Sequence, residues 1–121
     1  MKKKTFTIPI YDFDVTLIEV ECKDDKEQAV EVLKSFDCNT DDIREYERYI
    51  DNEYMNGGDT FRNMEKKRFL VILSPCENEE TRREIINHEK RHVEDRLLEW
   101  VGIHDIEASA YLAGYLSRFM Y

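Results

Sequence analysis

A charged stretch near the end of the chain, from about Glu79 to Val101, constrains the fold more than any other segment, because helix caps bound it on both sides. The side-chain oxygen of Asn78 suits an N-cap, and Gly102 readily adopts the left-handed conformation in which helices end. Between these caps, apolar residues recur with the spacing of one helix face. That face consists of Ile86, Val93, Leu97, Trp100 and Val101. The sequence therefore predicts one long helix here.

Strand patterns occupy two other parts of the chain. Residues 5–11 and 13–21 alternate apolar and polar side chains, which predicts two strands or one bent strand. Pro9 has no N–H to donate, so this segment belongs at a sheet edge or a bulge. Residues 59–75 predict a hairpin, and its continuously apolar arm Phe69–Leu73 is typical of a buried strand. An extended peptide could add to that arm if its edge is open.

Three segments outside the long helix also have apolar stripes with helical spacing, namely residues 24–36, 40–55 and 106–121. Their expected N-caps are Asp24 or Asp25, Thr40 or Asp41, and Asp105. The stripe of the second segment ends at Tyr54. Strands, a hairpin and helices in this order predict an α+β fold.

Composition limits the classes of function. At 121 residues, the chain is expected to form one domain spanning residues 1–121. Its net charge of -9 argues against a nucleic-acid partner, which needs clustered Lys and Arg. We find no signal peptide and no apolar run that could span a membrane, so no membrane partner is expected. Three widely spaced cysteines (Cys22, Cys38 and Cys76) predict free thiols in a reducing cytoplasm.

The long helix carries the sequence His88-Glu89-Lys90-Arg91-His92, which fits the HExxH pattern of zinc enzymes. Residues four apart are offset by about 40° around a helix, so His88 and His92 can reach one metal ion. Glu89 is turned by about 100° from His88, where it can act as a general base without binding the metal. The alternative is a charged helix without metal, held by pairs such as Glu84 with His88.

A catalytic zinc ion needs a third protein ligand. Glu107 is our first candidate, because the turn at residues 102–105 can send the last helix back antiparallel to the long one. Its alternative role is a first-turn glutamate favoured by the helix dipole. Tyr111, one turn later, could support a ligand or stabilise an oxyanion. His104 and Asp105 are the remaining candidate ligands, although Asp105 is better explained as an N-cap.

The chain resembles the gluzincin metallopeptidases, in which HExxH is followed by a glutamate on a second helix. The resemblance rests on residues 88–92 and on the "IEASAY" of residues 106–111. The strand at residues 68–75 and the helix that follows it are also similar to ImmA/IrrE-type peptidases. With residues 8–20 included, most of the chain resembles small phage- and prophage-encoded HExxH proteins.

The resemblance implies a zincin-like α+β fold, with a small, mostly antiparallel sheet and a long HExxH helix followed by an antiparallel C-terminal helix. It implies His88, His92 and Glu107 as Zn²⁺ ligands and Glu89 as the general base. Tyr111 departs from thermolysin, which has an aspartate at this place, so the resemblance leaves its role open. Tyr111 stays a candidate catalytic residue together with Glu89. The expected function is zinc-dependent hydrolysis of a protein or peptide substrate. A catalytically inactive module that acts by protein–protein binding is the alternative.

Overall fold

The computed structural model describes residues 1–53 and 55–121, and within them the chain forms one α+β unit of four strands and four α-helices. The strands are β1 (Lys2–Ile8), β2 (Phe13–Glu19), β3 (Gly58–Asn63) and β4 (Arg68–Leu73). The helices are α1 (Lys26–Ser35), α2 (Thr40–Glu53), α3 (Glu79–Val101) and α4 (Ile106–Met120). The predicted α+β class is confirmed.

The four strands form one mixed sheet in the order β1-β2-β4-β3. β1 and β2 pair antiparallel, as do β3 and β4, whereas the central strands β2 and β4 are parallel. Two of the three pairings are therefore antiparallel, in line with the expected sheet. The first strand pattern is two strands, and Pro9 directly follows the edge strand β1.

The two faces of the sheet carry separate apolar cores. Alternate residues of the strands point to opposite faces, so each central strand contributes to both cores. One face packs against α3 and α4 and contains Phe13, Val15, Leu17, Phe69, Val71, Leu73, Ile86, Val93, Leu97, Leu112, Leu116 and Met120. The other packs against α1 and α2 and contains Ile18, Leu70, Ile72, Ala29, Leu33, Tyr46 and Ile50. The sheet is thus the middle layer of three.

The long helix α3 has the predicted bounds. Asn78 caps it by accepting a hydrogen bond from the N–H of Thr81 at 2.7 Å, and Gly102 ends it with a φ of 71°. Trp100 was expected in the core and is instead 54% exposed, because it lies on the flank of α3 that lines a surface cavity with Arg62 and Met64. Among the helices of the described residues, none is both long and apolar enough to cross a membrane.

The other helix caps agree only in part with the sequence patterns. Asp105 caps α4 by accepting from the N–H of Glu107 at 2.8 Å, as expected. The cap of α2 is Asn39, whose side chain accepts from the N–H of Asp42, and not Thr40 or Asp41, which lie inside the helix. Asp25 precedes α1 but its side chain accepts from the N–H of Glu21 instead. Tyr54 lies outside the described residues.

α4 runs antiparallel to α3 and lies towards the β1 edge of the sheet. The Tyr115 hydroxyl donates to the carbonyl of Thr7 at 2.7 Å, which ties the middle of α4 to β1. At the end of α4, the Tyr121 hydroxyl donates to Oδ1 of Asn87 at 3.1 Å. β3 is the opposite edge of the sheet. α3 therefore has one flank that faces α4 and another that faces β3.

The flank of α3 that faces α4 contains a buried ion pair. Asn87, Lys90 and Glu94 follow one another at helical spacings of three and four, so they share this flank. Nζ of Lys90 lies 3.1 Å from Oε1 of Glu94, and both side chains are almost fully buried. That oxygen accepts no well-aligned hydrogen bond from the described residues, so charge attraction holds the pair together.

We predict that Glu94→Ala lowers the free energy of unfolding by about 3–5 kcal/mol, because it leaves the buried ammonium of Lys90 without a counter-charge. The matched control is Asp95→Ala, which removes the exposed pair with Arg91 one residue further along the same helix. Exposed pairs contribute little, so the control should unfold as the wild type does. Urea titrations of the two variants measure the difference, and equal stabilities would contradict the prediction.

Candidate metal centre

His88, Glu89 and His92 form a cluster of potential metal ligands at the middle of α3. One ligand atom from each residue lies within 4.8 Å of those of the other two. The Nε2 atoms of the two histidines are 3.1 Å apart, and their rings meet edge to face. Both histidines are exposed, whereas Glu89 is buried. The helical spacing thus brings two imidazole nitrogens together at the surface, with a carboxylate beside them.

The carboxylate of Glu89 is held by the edge strand β3. The hydroxyl of Thr60 donates to Oε2 of Glu89 at 2.6 Å. Gly58 allows the strand to come this close, because a Cβ there would lie 2.9 Å from Cγ2 of Ile85 and 3.0 Å from Cγ of Glu89. The sequence did not identify Thr60, since only the sheet order places it opposite α3. A glycine two residues before it was the one local signal of a close approach.

The outer edge of β3 is the open hydrogen-bonding edge beside this cluster. The N–H of Ser74 donates to the carbonyl of Gly57, its register partner, so alternate residues from Gly57 onwards pair with β4. Gly58, Thr60 and Arg62 consequently direct their N–H and C=O groups away from the sheet. One of these donors is already satisfied, because the N–H of Thr60 donates to Oδ1 of Asp59 at 3.0 Å.

The expectation that a peptide adds to the strand Phe69–Leu73 is wrong. That segment is β4, which pairs with β2 on one side and β3 on the other, so it has no free edge. Its continuous apolar sequence reflects this central position, because both of its faces are buried. Any added strand would have to pair with β3.

A groove separates the open edge of β3 from α3. We call it the β3–α3 groove, and its walls are Thr60 and Arg62 of β3, Phe69 of β4, and Glu89, His92 and Arg96 of α3. Asp59 also borders it. The groove therefore contains one of the two clustered histidines, the buried carboxylate and two guanidinium groups.

The carboxyl group of Asp59 has a raised pKa. Although the residue as a whole is exposed, the walls around its carboxyl group desolvate it, and the negative charge of Glu89 adds to the effect. Together they raise the pKa of Asp59 from 3.8 to about 6. Between these two pH values the folded protein binds a proton that the unfolded chain has released. Folding stability therefore falls as the pH rises through this range.

We predict that Asp59→Asn stabilises the protein at pH 7 and not at pH 4. The amide keeps the acceptor for the N–H of Thr60 and removes the charge that is unfavourable above about pH 6. Thermal unfolding of wild type and variant at a series of pH values measures the gain. Asp41→Asn, on the exposed first turn of α2, serves as the control. A gain that is the same at both pH values would contradict the raised pKa.

Glu107 and Tyr111 do not lie in the cluster. Glu107 is exposed in the first turn of α4, which starts beside the end of α3, and His92 is nine residues before that end, or about 14 Å along the helix. Tyr111 is exposed and stacks with Tyr115, on the side of α4 that faces β1. The structure thus places both residues across α3 from the β3–α3 groove.

The two alternative third ligands are not in the cluster either. His104 is exposed in the turn between α3 and α4, and Asp105 is engaged as the N-cap of α4. Among the described residues, the group that could hold a metal ion consists of His88, Glu89 and His92. Two imidazole nitrogens and a carboxylate suit zinc, which accepts both types of ligand. The residues present therefore fit a zinc ion when Glu89 is counted as a ligand. With Glu89 as the base, the two histidines supply two of the three protein ligands that are usual at a catalytic zinc ion.

Comparisons with known proteins give no relatives. No protein-family model matches the chain, and neither a curated protein nor a solved structure shows significant similarity to it.

Proposed function

We propose that this protein is a zinc-dependent hydrolase of peptide bonds with a zincin-like fold. The observation that carries the proposal is the convergence of His88 and His92 beside the buried carboxylate of Glu89. The open edge of β3 supports it, because an extended peptide on that edge would lie against the same carboxylate. The three residues lie within about one turn of α3, so the helix backbone fixes their relative placement, and Thr60 orients the Glu89 side chain.

In this proposal, His88 and His92 bind the metal through Nε2, and Glu89 is the general base. A bound zinc ion would supply a Lewis acid that polarises the substrate carbonyl and makes water more acidic. Glu89 would accept the proton from that water and pass it to the leaving amine. Thr60 is a positioning residue, since its hydroxyl fixes the orientation of the Glu89 carboxylate.

The substrate backbone is held by β3 in this proposal. Arg62 offers a free N–H and C=O on the open edge, whereas the N–H of Thr60 is covered by the carboxylate of Asp59. An added strand would have to displace Asp59 from this donor. A substrate that moves Asp59 away would also take its carboxyl group out of the desolvated position beside the negative charge of Glu89.

In this proposal, the protein ligands of the metal are one nitrogen each of His88 and His92, and Glu89 is the nearest carboxylate. Glu107 would complete the set only if the first turn of α4 moved around α3 to the flank that faces β3. The hydrogen bond between Tyr121 and Asn87 opposes such a movement. We therefore propose that metal binding depends on the two histidines and is independent of Glu107.

We predict about one zinc ion per chain in the wild type and in Glu107→Ala, and a large loss in His88→Ala and His92→Ala. Elemental analysis of proteins purified in the same way, with zinc added and the excess removed, measures the content. His104→Ala is the matched control for an exposed histidine next to α3. Zinc lost from Glu107→Ala would restore Glu107 as a ligand, and no zinc in the wild type would exclude the metal centre.

Glu89→Gln should keep its zinc and lose peptide hydrolysis by a factor of about 100 or more, because the amide cannot accept the proton.

Thr60→Val should keep zinc and lower kcat by about tenfold with little change in KM, because it removes one hydrogen bond to a charged group. Hydrolysis of a quenched peptide pool measures both effects. Equal rates in Glu89→Gln and wild type would leave the inactive binding module as the better description.

A further inference from the structure

We propose that the β3–α3 groove selects extended peptides with an acidic side chain at a defined position, two residues before the residue that pairs with Thr60. This inference names the substrate class of the proposed catalytic site and so rests on the proposed function. The residues that would recognise the acidic side chain are Arg62 of β3 and Arg96 of α3. Both side chains line the groove beside Glu89 and His92.

β3 and α3 run in the same direction along the groove. Gly58 lies against Ile85 and Glu89, and the next outward-facing residue of the strand, Thr60, hydrogen-bonds Glu89. Two residues later, Arg62 lines the same cavity as Arg96. The groove therefore has a fixed order, from the glycine end through the carboxylate and the histidine to the two guanidinium groups.

Beyond the two arginines, the groove ends in an apolar wall. Met64 and Trp100 line one cavity together with Arg62 and Arg96. Trp100 is 54% exposed, and Met64 lies in the turn directly after β3, two residues beyond Arg62. An extended chain has side chains on one face about every 7 Å, which matches these steps along the strand. The arginine pair is thus one step from the proposed catalytic carboxylate.

The two guanidinium groups are available to a substrate. Among the described residues, Arg62 has no ion pair, and Arg96 has only an exposed pair with Glu99 at 3.5 Å. The carboxylates in the groove, Glu89 and Asp59, each already accept a hydrogen bond from Thr60. Arg62 is thus uncommitted among the described residues, and Arg96 is held only by a solvent-exposed pair that contributes little, while the carboxylates of Asp59, Glu89 and Glu99 line the same two cavities. A carboxylate is the group that an arginine fork fits best.

The direction of pairing decides on which side of the cleaved bond the acidic residue lies. Antiparallel pairs are the more common form of strand addition, and β3 already pairs antiparallel with β4. In an antiparallel complex, the substrate residue opposite Arg62 precedes the one opposite Thr60 by two positions. The acidic side chain should therefore lie on the N-terminal side of the reacting peptide bond.

A random pool of ten-residue peptides, analysed in two ways, tests the inference. In the first arm, the zinc-loaded wild type cleaves the pool, and mass spectrometry gives the residues around each cleaved bond. In the second arm, immobilised Glu89→Gln protein captures peptides from the pool without cleaving them, and the bound peptides are sequenced. The second arm reports on recognition alone, so it does not depend on catalysis.

In the cleaved peptides, we expect aspartate and glutamate to be enriched about threefold or more at one position on the N-terminal side of the cleaved bond. We expect the same two residues to be enriched in the captured peptides. The enrichment should be lost in Arg62→Gln and in Arg96→Gln. It should persist in Arg91→Gln, a matched variant of an exposed arginine on α3 outside the groove. Arg96→Glu should reverse the preference towards lysine at the same position. The three substituted positions are exposed, and unchanged melting temperatures would confirm that the four variants fold.

The two arms separate the failure of this inference from that of the proposed function. Capture of acidic peptides without cleavage by the wild type would support the groove and reject the hydrolase. Cleavage without a charge preference would support the hydrolase and overturn the inference. Enrichment that follows total negative charge, regardless of position, would indicate a non-specific anionic contact and would also overturn it.

Discussion

The hydrogen bond between Thr60 and Glu89 joins the edge of the sheet to the middle of α3, and the candidate site exists because of it. A buried carboxylate without a partner would be costly, so the bond makes the inward orientation of Glu89 tolerable. The buried stripe of α3, Ile86, Val93 and Leu97, packs on the sheet and orients the helix, and the bond adds a contact to β3 in that orientation. With Glu89 turned inwards, helical geometry leaves His88 and His92 exposed and close together, and His92 lines the groove.

The features that could be predicted from sequence are those that one segment determines by itself. The bounds of α3 follow from two local caps, Asn78 and Gly102, and the convergence of His88 and His92 follows from their spacing on one helix. The hairpin of β3 and β4 is equally local, since its strands are joined by a short turn. Each depends on neighbours in the chain, so the pattern of residues is sufficient.

The features that could not be predicted depend on which elements become neighbours in space. The parallel pairing of β2 and β4 places β4 inside the sheet and leaves the open edge to β3. The turn after Gly102 was expected to bring Glu107 to the histidines, but a turn sets only the direction of α4 and not the flank of α3 on which it lies. Contacts of Phe6 with Tyr115 and Phe119 draw α4 towards β1.

The two flanks of α3 differ in how their charged side chains are paired. On the flank facing α4, Lys90 and Glu94 neutralise each other in a closed interface, which leaves no charge free for a ligand. On the flank facing β3, the carboxylates of Asp59 and Glu89 both depend on Thr60, and Arg62 has no counter-charge within the described residues. Arg62 is exposed, so water solvates its charge and the missing pair costs little stability. A carboxylate of a substrate could take the place of that water, which is why the β3–α3 groove is the better candidate for a functional surface.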